Sequence, residues 1–192
     1  GLLAFTGVQI AMLEGSYRVL GGLKWHKTNY AIAAAPPRAG DIVAGQLGYV
    51  GLRTAISSVA FLLVMIPFGV VSSGWAVLAP VAALVVGLAV AAPVMAFSAA
   101  VAKENSLALL FRFALLPMML FSGVFFPVDQ LPTLLRPVAY ALPLWHGVEL
   151  CRAAVVGLAT TWPVGLHLGC VVGWVLVGFG LAVGRFRARL VV

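Results

Sequence analysis

Long uncharged apolar stretches dominate the pattern of hydrophobic and polar positions along the chain. No charged residue occurs between Arg53 and Lys103 or between Arg152 and Arg185. A helix that crosses a bilayer needs about 20 apolar residues, whereas a membrane β-strand alternates in polarity over about ten. Runs such as residues 82–90 lack that alternation, so the pattern predicts membrane-spanning α-helices.

Breaks in the apolar pattern divide the chain into predicted spans. The uncharged stretch after Arg53 is too long for one crossing, since a helix rises about 1.5 Å per residue, and the polar segment 72–75 divides it. The predicted spans cover residues 1–20, 43–70, 75–101, 107–126 and 162–184. We therefore expect an all-α polytopic membrane protein with five transmembrane helices in this chain.

Composition supports a membrane protein and excludes other classes. The 192 residues are 63% hydrophobic and only 9% charged, whereas soluble domains carry roughly 25% charged residues. A disordered chain would be rich in charge and poor in hydrophobic residues. The two cysteines are too few for a disulfide framework. The net charge of +7 is not gathered on one basic face, so we expect no nucleic acid partner.

The few basic residues predict the orientation of the spans, because cytoplasmic loops carry an excess of lysine and arginine. Placing loop 21–42 and the C-terminus in the cytoplasm leaves only Arg136 and Arg152 on the outer side. Residue 1 would then lie outside the cell without an initiator methionine. We therefore expect a preceding segment with one more span, which gives six spans in the intact protein.

Loop 21–42 is the first of two segments that interrupt the apolar pattern. Thr28 or Asn29 can cap a short helix, and Pro36 and Pro37 would end it. The pattern therefore predicts about two helical turns lying under the membrane between two spans. The alternative is a loop that merely connects them.

The second interrupted segment precedes the last predicted span. It remains apolar, yet prolines recur in it at positions 127, 132, 137 and 143, a density that a straight helix does not accommodate. Irregular backbone cannot face lipid, so the segment has to be buried in protein or line a cavity. We expect a re-entrant outer helical hairpin before the last span.

Ionisable residues near the apolar stretches are candidate functional groups, because charge is costly there. Glu14 and Arg53 are predicted at the inner edges of their spans. His146, Glu149 and Arg152 follow one another at helical spacing and predict a polar strip at the outer mouth of a translocation path. The alternative for this strip is an ion pair that only anchors a helix.

No familiar catalytic motif accompanies these residues. The sequence contains no phosphate-binding loop, no H-E-x-x-H zinc pair and no G-x-S-x-G nucleophile elbow. His26, His146 and His167 are predicted at three different levels of the topology, so we expect no metal site. We also expect the chain to bind no cofactor of its own and not to be an enzyme by itself.

The two interrupted segments carry a family resemblance. Residues 121–132 read FSGVFFPVDQLP and residues 142–152 read LPLWHGVELCR. Both are similar to the stretch before the last span in the membrane subunits of ABC-2 type transporters, in the group of drug exporters and nodulation lipooligosaccharide exporters. Glu14, Thr28 and Arg53 also fall where the family pattern has such residues. The resemblance implies a single ABC-2 type transmembrane domain over residues 1–192, without the family's N-terminal amphipathic helix and first span.

The resemblance also implies roles and partners. A coupling helix seated in a separate ATPase subunit would carry Thr28, Asn29, Tyr30, Ile32 and Ala33. The outer hairpin would form a gate with Gly123, Phe125, Phe126, Pro127, Leu131 and Pro132. The partners would be two ATP-binding cassette ATPases, a second permease copy and membrane lipid. ATP and Mg would be bound by the ATPases.

The implied function is that of the permease subunit of an ATP-driven exporter in the bacterial plasma membrane, which moves a drug-like molecule or a lipid-linked glycan outward. One alternative is a self-sufficient secondary transporter or channel, a class that also uses broken helices but needs ion-coupling acids within its spans. Another is an intramembrane lipid enzyme with His146 and Glu149 as its acid–base pair, for which the sequence offers no recognisable nucleophile.

Overall fold

A computed structural model describes residues 1–24, 38–101 and 104–190, and within these ranges the chain is helical and contains no β-strand. The predicted coupling-helix residues Thr28, Asn29, Tyr30, Ile32 and Ala33 lie outside the described residues. The α-helices are α1 (Leu2–Leu13), α2 (Val19–Lys24), α3 (Ala39–Met65), α4 (Ala79–Ala100), α5 (Glu104–Leu110), α6 (Leu116–Phe121), α7 (Arg136–Ala141), α8 (Pro143–Val156) and α9 (Val164–Leu190). The expected all-α architecture is confirmed.

Three helical segments are long and apolar enough to cross a membrane. They are Ala39–Met65, Ala76–Ala100 and Val164–Arg189, and they correspond to three of the predicted spans. The 27 residues of α3 extend about 40 Å at 1.5 Å per residue, which exceeds the hydrocarbon thickness of about 30 Å. The architecture is therefore that of a polytopic membrane protein.

The other two predicted spans, at the start of the chain and before the outer hairpin, are each built from shorter helices. The π-helical segment Glu14–Arg18 joins α1 to α2, and the π-helical segment Phe111–Leu115 joins α5 to α6. Tyr17 and Phe111 bring the two segments together, since their ring centroids are 5.8 Å apart. Such π-helical turns within α-helices often mark functional sites.

Helix α4 lies at the centre of the bundle, because α1, α3, α8 and α9 all pack against it. Glycines permit the closest approaches. A Cβ atom built at Gly178 of α9 would lie 2.5 Å from Cδ of Pro93, and one at Gly147 of α8 would lie 2.4 Å from Cγ2 of Val86. Small residues at helix contacts are characteristic of membrane bundles, where van der Waals packing replaces the hydrophobic effect as the force between helices.

The expected outer hairpin consists of the turns that follow α6, helix α7 and helix α8. The indole N–H of Trp174 on α9 donates to the carbonyl of Ala141 at 3.1 Å. Trp174 is about ten residues from the start of α9, so the corner between α7 and α8 lies about 15 Å down that helix. At the other end of α8, the carbonyl of Val155 accepts the backbone N–H groups of Ser72 and Ser73, both at 3.1 Å. The side of the membrane on which Ser72 and Ser73 lie is called the outer side.

Replacing Gly178 by alanine is expected to lower the thermal stability of the full-length protein. The new methyl group would overlap Pro93, and overpacking of a close-packed site costs about 1–3 kcal/mol. Gly180 lies on the same helix with nothing within 4 Å of its Cβ position. Gly180→Ala is therefore the matched control, with an expected change within about 0.5 kcal/mol. The measurement is the melting temperature of both variants in lipid nanodiscs. Equal melting temperatures would contradict the close contact of Gly178 with Pro93.

Candidate functional site

A cluster of charges joins the π-helical segment after α1 to helix α3. The Glu14 carboxylate pairs with the guanidinium group of Arg53, and Nη1 of Arg18 lies 3.9 Å from Oε2 of Glu14. The guanidinium carbon of Arg18 also lies 3.7 Å from the ring centroid of Tyr49, a cation–π contact. Two cations therefore share one carboxylate.

Arg53, which the sequence pattern placed at the inner edge of its span, lies near the middle of helix α3. The helix begins at Ala39, before the apolar stretch, and the Asp41 carboxylate caps it by accepting the backbone N–H of Arg38 at 2.8 Å. About 21 Å of helix consequently precede Arg53. Glu14 likewise lies well inside the helical run that α1 begins.

The charged cluster is partly open on one side. The side chains of Arg53 and Arg18 are 52% and 50% exposed, whereas that of Glu14 is 11% exposed. Charged side chains within membrane helices face the protein interior or a water-filled cavity rather than lipid. The surface formed by Glu14, Arg18, Tyr49 and Arg53, here called the polar edge, therefore meets water or another protein surface.

An apolar cavity of about 440 Å³ lies between α1, α4, the helices that precede the hairpin, and α9. Residues that line it include Met12, Pro93, Phe113, Met118, Phe121 and Trp174. Ligand pockets commonly have about this volume and a mostly apolar lining. Met12 and Glu14 are two residues apart on one helical run and point to different sides of it, so the cavity and the polar edge are separate surfaces.

The predicted gate residues occupy different environments in the outer hairpin. Phe125, Pro127 and Pro132 are exposed, Gly123 and Leu131 are buried, and Phe126 is half-buried. Phe126 packs with Leu131 against a small core that contains Trp145. Gly123 turns the chain with a φ of +77°, a conformation that favours glycine. Of the two phenylalanines, Phe125 therefore presents its ring outward.

The polar strip on α8 binds two neighbouring segments of chain. Oε2 of Glu149 accepts the backbone N–H of Thr161 at 2.9 Å and its hydroxyl at 2.7 Å. Arg152 Nη2 donates to the carbonyl of Gly123 at 3.1 Å, whereas its Nη1 is 3.5 Å from Oε1 of Glu149. The two side chains thus form a weak pair with each other and stronger contacts to the loops that enter and leave the hairpin.

The third member of the strip, His146, corrects the expectation that the histidines lie at different levels. Nδ1 of His146 is 2.8 Å from Nδ1 of His167, and its Nε2 is 3.0 Å from the carbonyl oxygen of Tyr140. Burial, followed by the adjacent His167 imidazole, holds the pKa of His146 below its ordinary value. Across the described ranges, no group of three or more His, Cys, Asp or Glu residues is placed to hold a metal ion.

Sequence reasoning did not single out Thr161, Tyr140 or His167 as partners of the strip. Thr161 is 12 residues from Glu149 and His167 is 21 residues from His146. No local spacing rule connects such distant positions. The hairpin fold brings them together.

Comparison with known proteins agrees with this architecture. The sequence profile of the ABC-2 type transporter family matches residues 1–156, and the chain therefore belongs to that family. Nodulation protein J of Neorhizobium galegae and of Rhizobium meliloti (strain 1021) are each 28% identical to it, over 99% of this chain and 72% of the relative. Nodulation protein J of Bradyrhizobium diazoefficiens is 24% identical over the same shares. No solved structure matches the chain.

Family membership defines the class of protein. ABC-2 type chains are membrane-embedded components of transporters, work in general with an ATP-binding cassette partner and are not catalytic by themselves. The polar edge, the apolar cavity and the outer hairpin are therefore candidate parts of a transport path.

Neutralising Glu14 is expected to damage the protein more than removing either cation around it. The Glu14→Gln variant leaves two arginines without a counter-charge in the middle of a membrane bundle, whereas Arg18→Gln removes only the more distant cation. Thermal unfolding of both variants in nanodiscs, together with the yield of membrane-inserted protein, measures the difference. Equal damage from Arg18→Gln would contradict the central role of the carboxylate.

Exchanging the charges of Glu149 and Arg152 in one double variant is not expected to restore stability. An arginine at position 149 offers no acceptor to Thr161, and a carboxylate at position 152 repels the carbonyl of Gly123. Glu149→Ala alone is expected to lose about 1.5–3 kcal/mol, the typical value for hydrogen bonds to a charged group. Thr161→Val, which removes only the hydroxyl donor, is the milder control. If the double exchange restored full stability, the ion pair of Glu149 with Arg152 would contribute more than their contacts to Thr161 and Gly123.

Proposed function

We propose that this chain is the membrane-spanning permease subunit of an ATP-driven exporter that moves a hydrophobic or amphipathic substrate outward across the bacterial plasma membrane. The observation that carries the proposal is the half-exposed pairing of Arg53 with Glu14 near the middle of α3. A substrate path along the polar edge gives these charges the water that lipid cannot supply. Membership of the ABC-2 family supports the same function.

The proposed assembly contains two permease copies and two ATP-binding cassette ATPases. Two-fold assemblies are the commonest oligomers, and a second permease copy opposite the polar edge would enclose a path between the copies. The ATPases would bind ATP and Mg, and the short helix with Tyr30 and Ile32 would transmit their closure to the spans as a rigid-body motion. Loop 21–42 and the C-terminus would face the cytoplasm.

The two candidate path surfaces suit an amphipathic substrate. A cavity of about 440 Å³ lies within the range of drug-sized pockets, about 300–1,000 Å³, and its lining suits an apolar ring or acyl chain. The arginines of the polar edge suit the polar part of the same molecule. A drug-like molecule and a lipid-linked glycan both fit this description.

The alternative of a self-sufficient secondary transporter has less support. Such a transporter needs an acid within its spans to couple an ion. In the described residues of α3, α4 and α9 the only acid is Asp41, at the start of α3, and Glu14 in the first helix is already paired with arginine.

Transport by the full permease–ATPase complex in proteoliposomes is expected to require ATP. A fluorescent acyl-chain amphiphile serves as the probe, and its movement should cease when ATP is depleted. Transport that continued without ATP, together with failure to recover any ATPase with the permease in mild detergent, would overturn the exporter proposal and favour the secondary transporter.

Replacing Tyr30 or Ile32 by glutamate is expected to reduce transport at least about tenfold while the ATPase still hydrolyses ATP. A buried charge at a contact between subunits weakens that contact by more than about 1.4 kcal/mol. Leu134→Glu introduces the same charge at a residue that is 88% exposed in the outer hairpin and is the matched control. Unchanged coupling in the Tyr30 and Ile32 variants would remove the coupling-helix assignment.

A further inference from the structure

Two buried imidazoles meet where the outer hairpin contacts the last span. Nδ1 of His146 on α8 lies 2.8 Å from Nδ1 of His167 on α9, and the two residues are 1% and 0% exposed. The ring of Trp145 packs on both, with centroid distances of 4.9 Å and 5.1 Å, and Trp162 lies against the same pair. Because the pair is buried, the tautomer of each imidazole is set by the other imidazole and by the neighbouring backbone.

The carbonyl of Tyr140 determines which nitrogen carries hydrogen. It lies 3.0 Å from Nε2 of His146 and can only accept, so Nε2 of His146 is the protonated nitrogen. Nδ1 of neutral His146 is then an acceptor, and Nδ1 of His167 has to donate to it. Nε2 of His167 is left as a buried lone pair without a hydrogen-bond partner among the described protein groups.

This arrangement keeps its hydrogen bonds when it binds one proton but not when it binds two. A first proton binds Nε2 of His167 and leaves both existing hydrogen bonds intact. A second proton has to bind Nδ1 of His146, which is the acceptor of the shared hydrogen bond. Two N–H groups and two positive charges would then face each other across 2.8 Å in a buried site, where unpaired charge is strongly disfavoured.

Few other ionisable groups lie near the pair. They are Glu149 and Arg152 of α8, Tyr140 of α7, Asp129 of the turn before α7 and the exposed Cys170 of α9. Glu149 and Arg152 are already occupied by each other and by the chain on either side of the hairpin. Helix α4, which packs against both α8 and α9, contains no titratable residue.

We propose that His146 and His167 form a proton-operated clasp between the outer hairpin and the last span. With no bound proton or one, the clasp holds α8 against the outer end of α9. With two bound protons the shared hydrogen bond is lost, and the hairpin separates from α9. Acidification of the outer side therefore favours opening of the hairpin, independently of ATP.

Nitrogen NMR tests the protonation sequence directly. The sample is full-length protein with ¹⁵N-labelled histidine in nanodiscs, carrying His26→Gln so that two histidines remain, titrated from about pH 8 to about pH 5. We expect opposite tautomers, a first step at Nε2 of His167, and a second step lower by more than about one pH unit because the sites interact. Identical tautomers, or two simultaneous and independent titrations, would overturn the clasp.

Distance measurements test whether the second proton moves the hairpin. Spin labels are attached to the exposed Cys170 on α9 and to a Leu134→Cys variant in the hairpin, while Cys151 is buried. The distance between labels is expected to increase by several ångströms below the second titration step. His167→Gln retains an amide donor but binds no proton, so it should abolish the shift, and His26→Gln should preserve it. A shift that persists in His167→Gln, or no shift in the parent protein, would contradict the proposal.

Discussion

Hydrocarbon offers no hydrogen-bond partner, and this constraint governs where the chain places each of its few polar groups. The Glu14 carboxylate is paired with Arg53 across two helices. The hydroxyls of Ser16, Ser58 and Ser98 each donate to the backbone carbonyl four residues earlier on their own helix. The charged cluster is not fully enclosed, because its arginines are half exposed, and its surface therefore has to meet water or protein.

The same constraint explains how irregular backbone is accommodated. The two π-helical segments interrupt neighbouring helices and contact each other through Tyr17 and Phe111, so neither interruption stands alone. Helix α4 lies at the centre of the bundle, and glycines such as Gly147 and Gly178 let α8 and α9 approach it closely. Tight packing around one central helix gives the broken helices a firm surface against which they can be held.

The outer hairpin combines two charged anchors with the histidine contact that is proposed to depend on protons. Glu149 binds Thr161 and Arg152 binds the carbonyl of Gly123, so both ends of the hairpin are tied to α8. The contact between His146 and His167 ties the same helix to the last span. The hairpin is therefore held to its neighbours at several points along the chain.

The helical class, the long spans and the existence of the hairpin could be predicted from the sequence, because run length, charge and proline act locally. The mid-helix position of Arg53 could not, because it depends on a cap that starts α3 before its apolar stretch. The π-helical segments could not be predicted either, because their residues do not distinguish a π-helical turn from an α-helical one. The meeting of His146 with His167, and of Glu149 with Thr161, was decided only by the tertiary structure, because folding the hairpin against α9 joins residues that no periodicity connects.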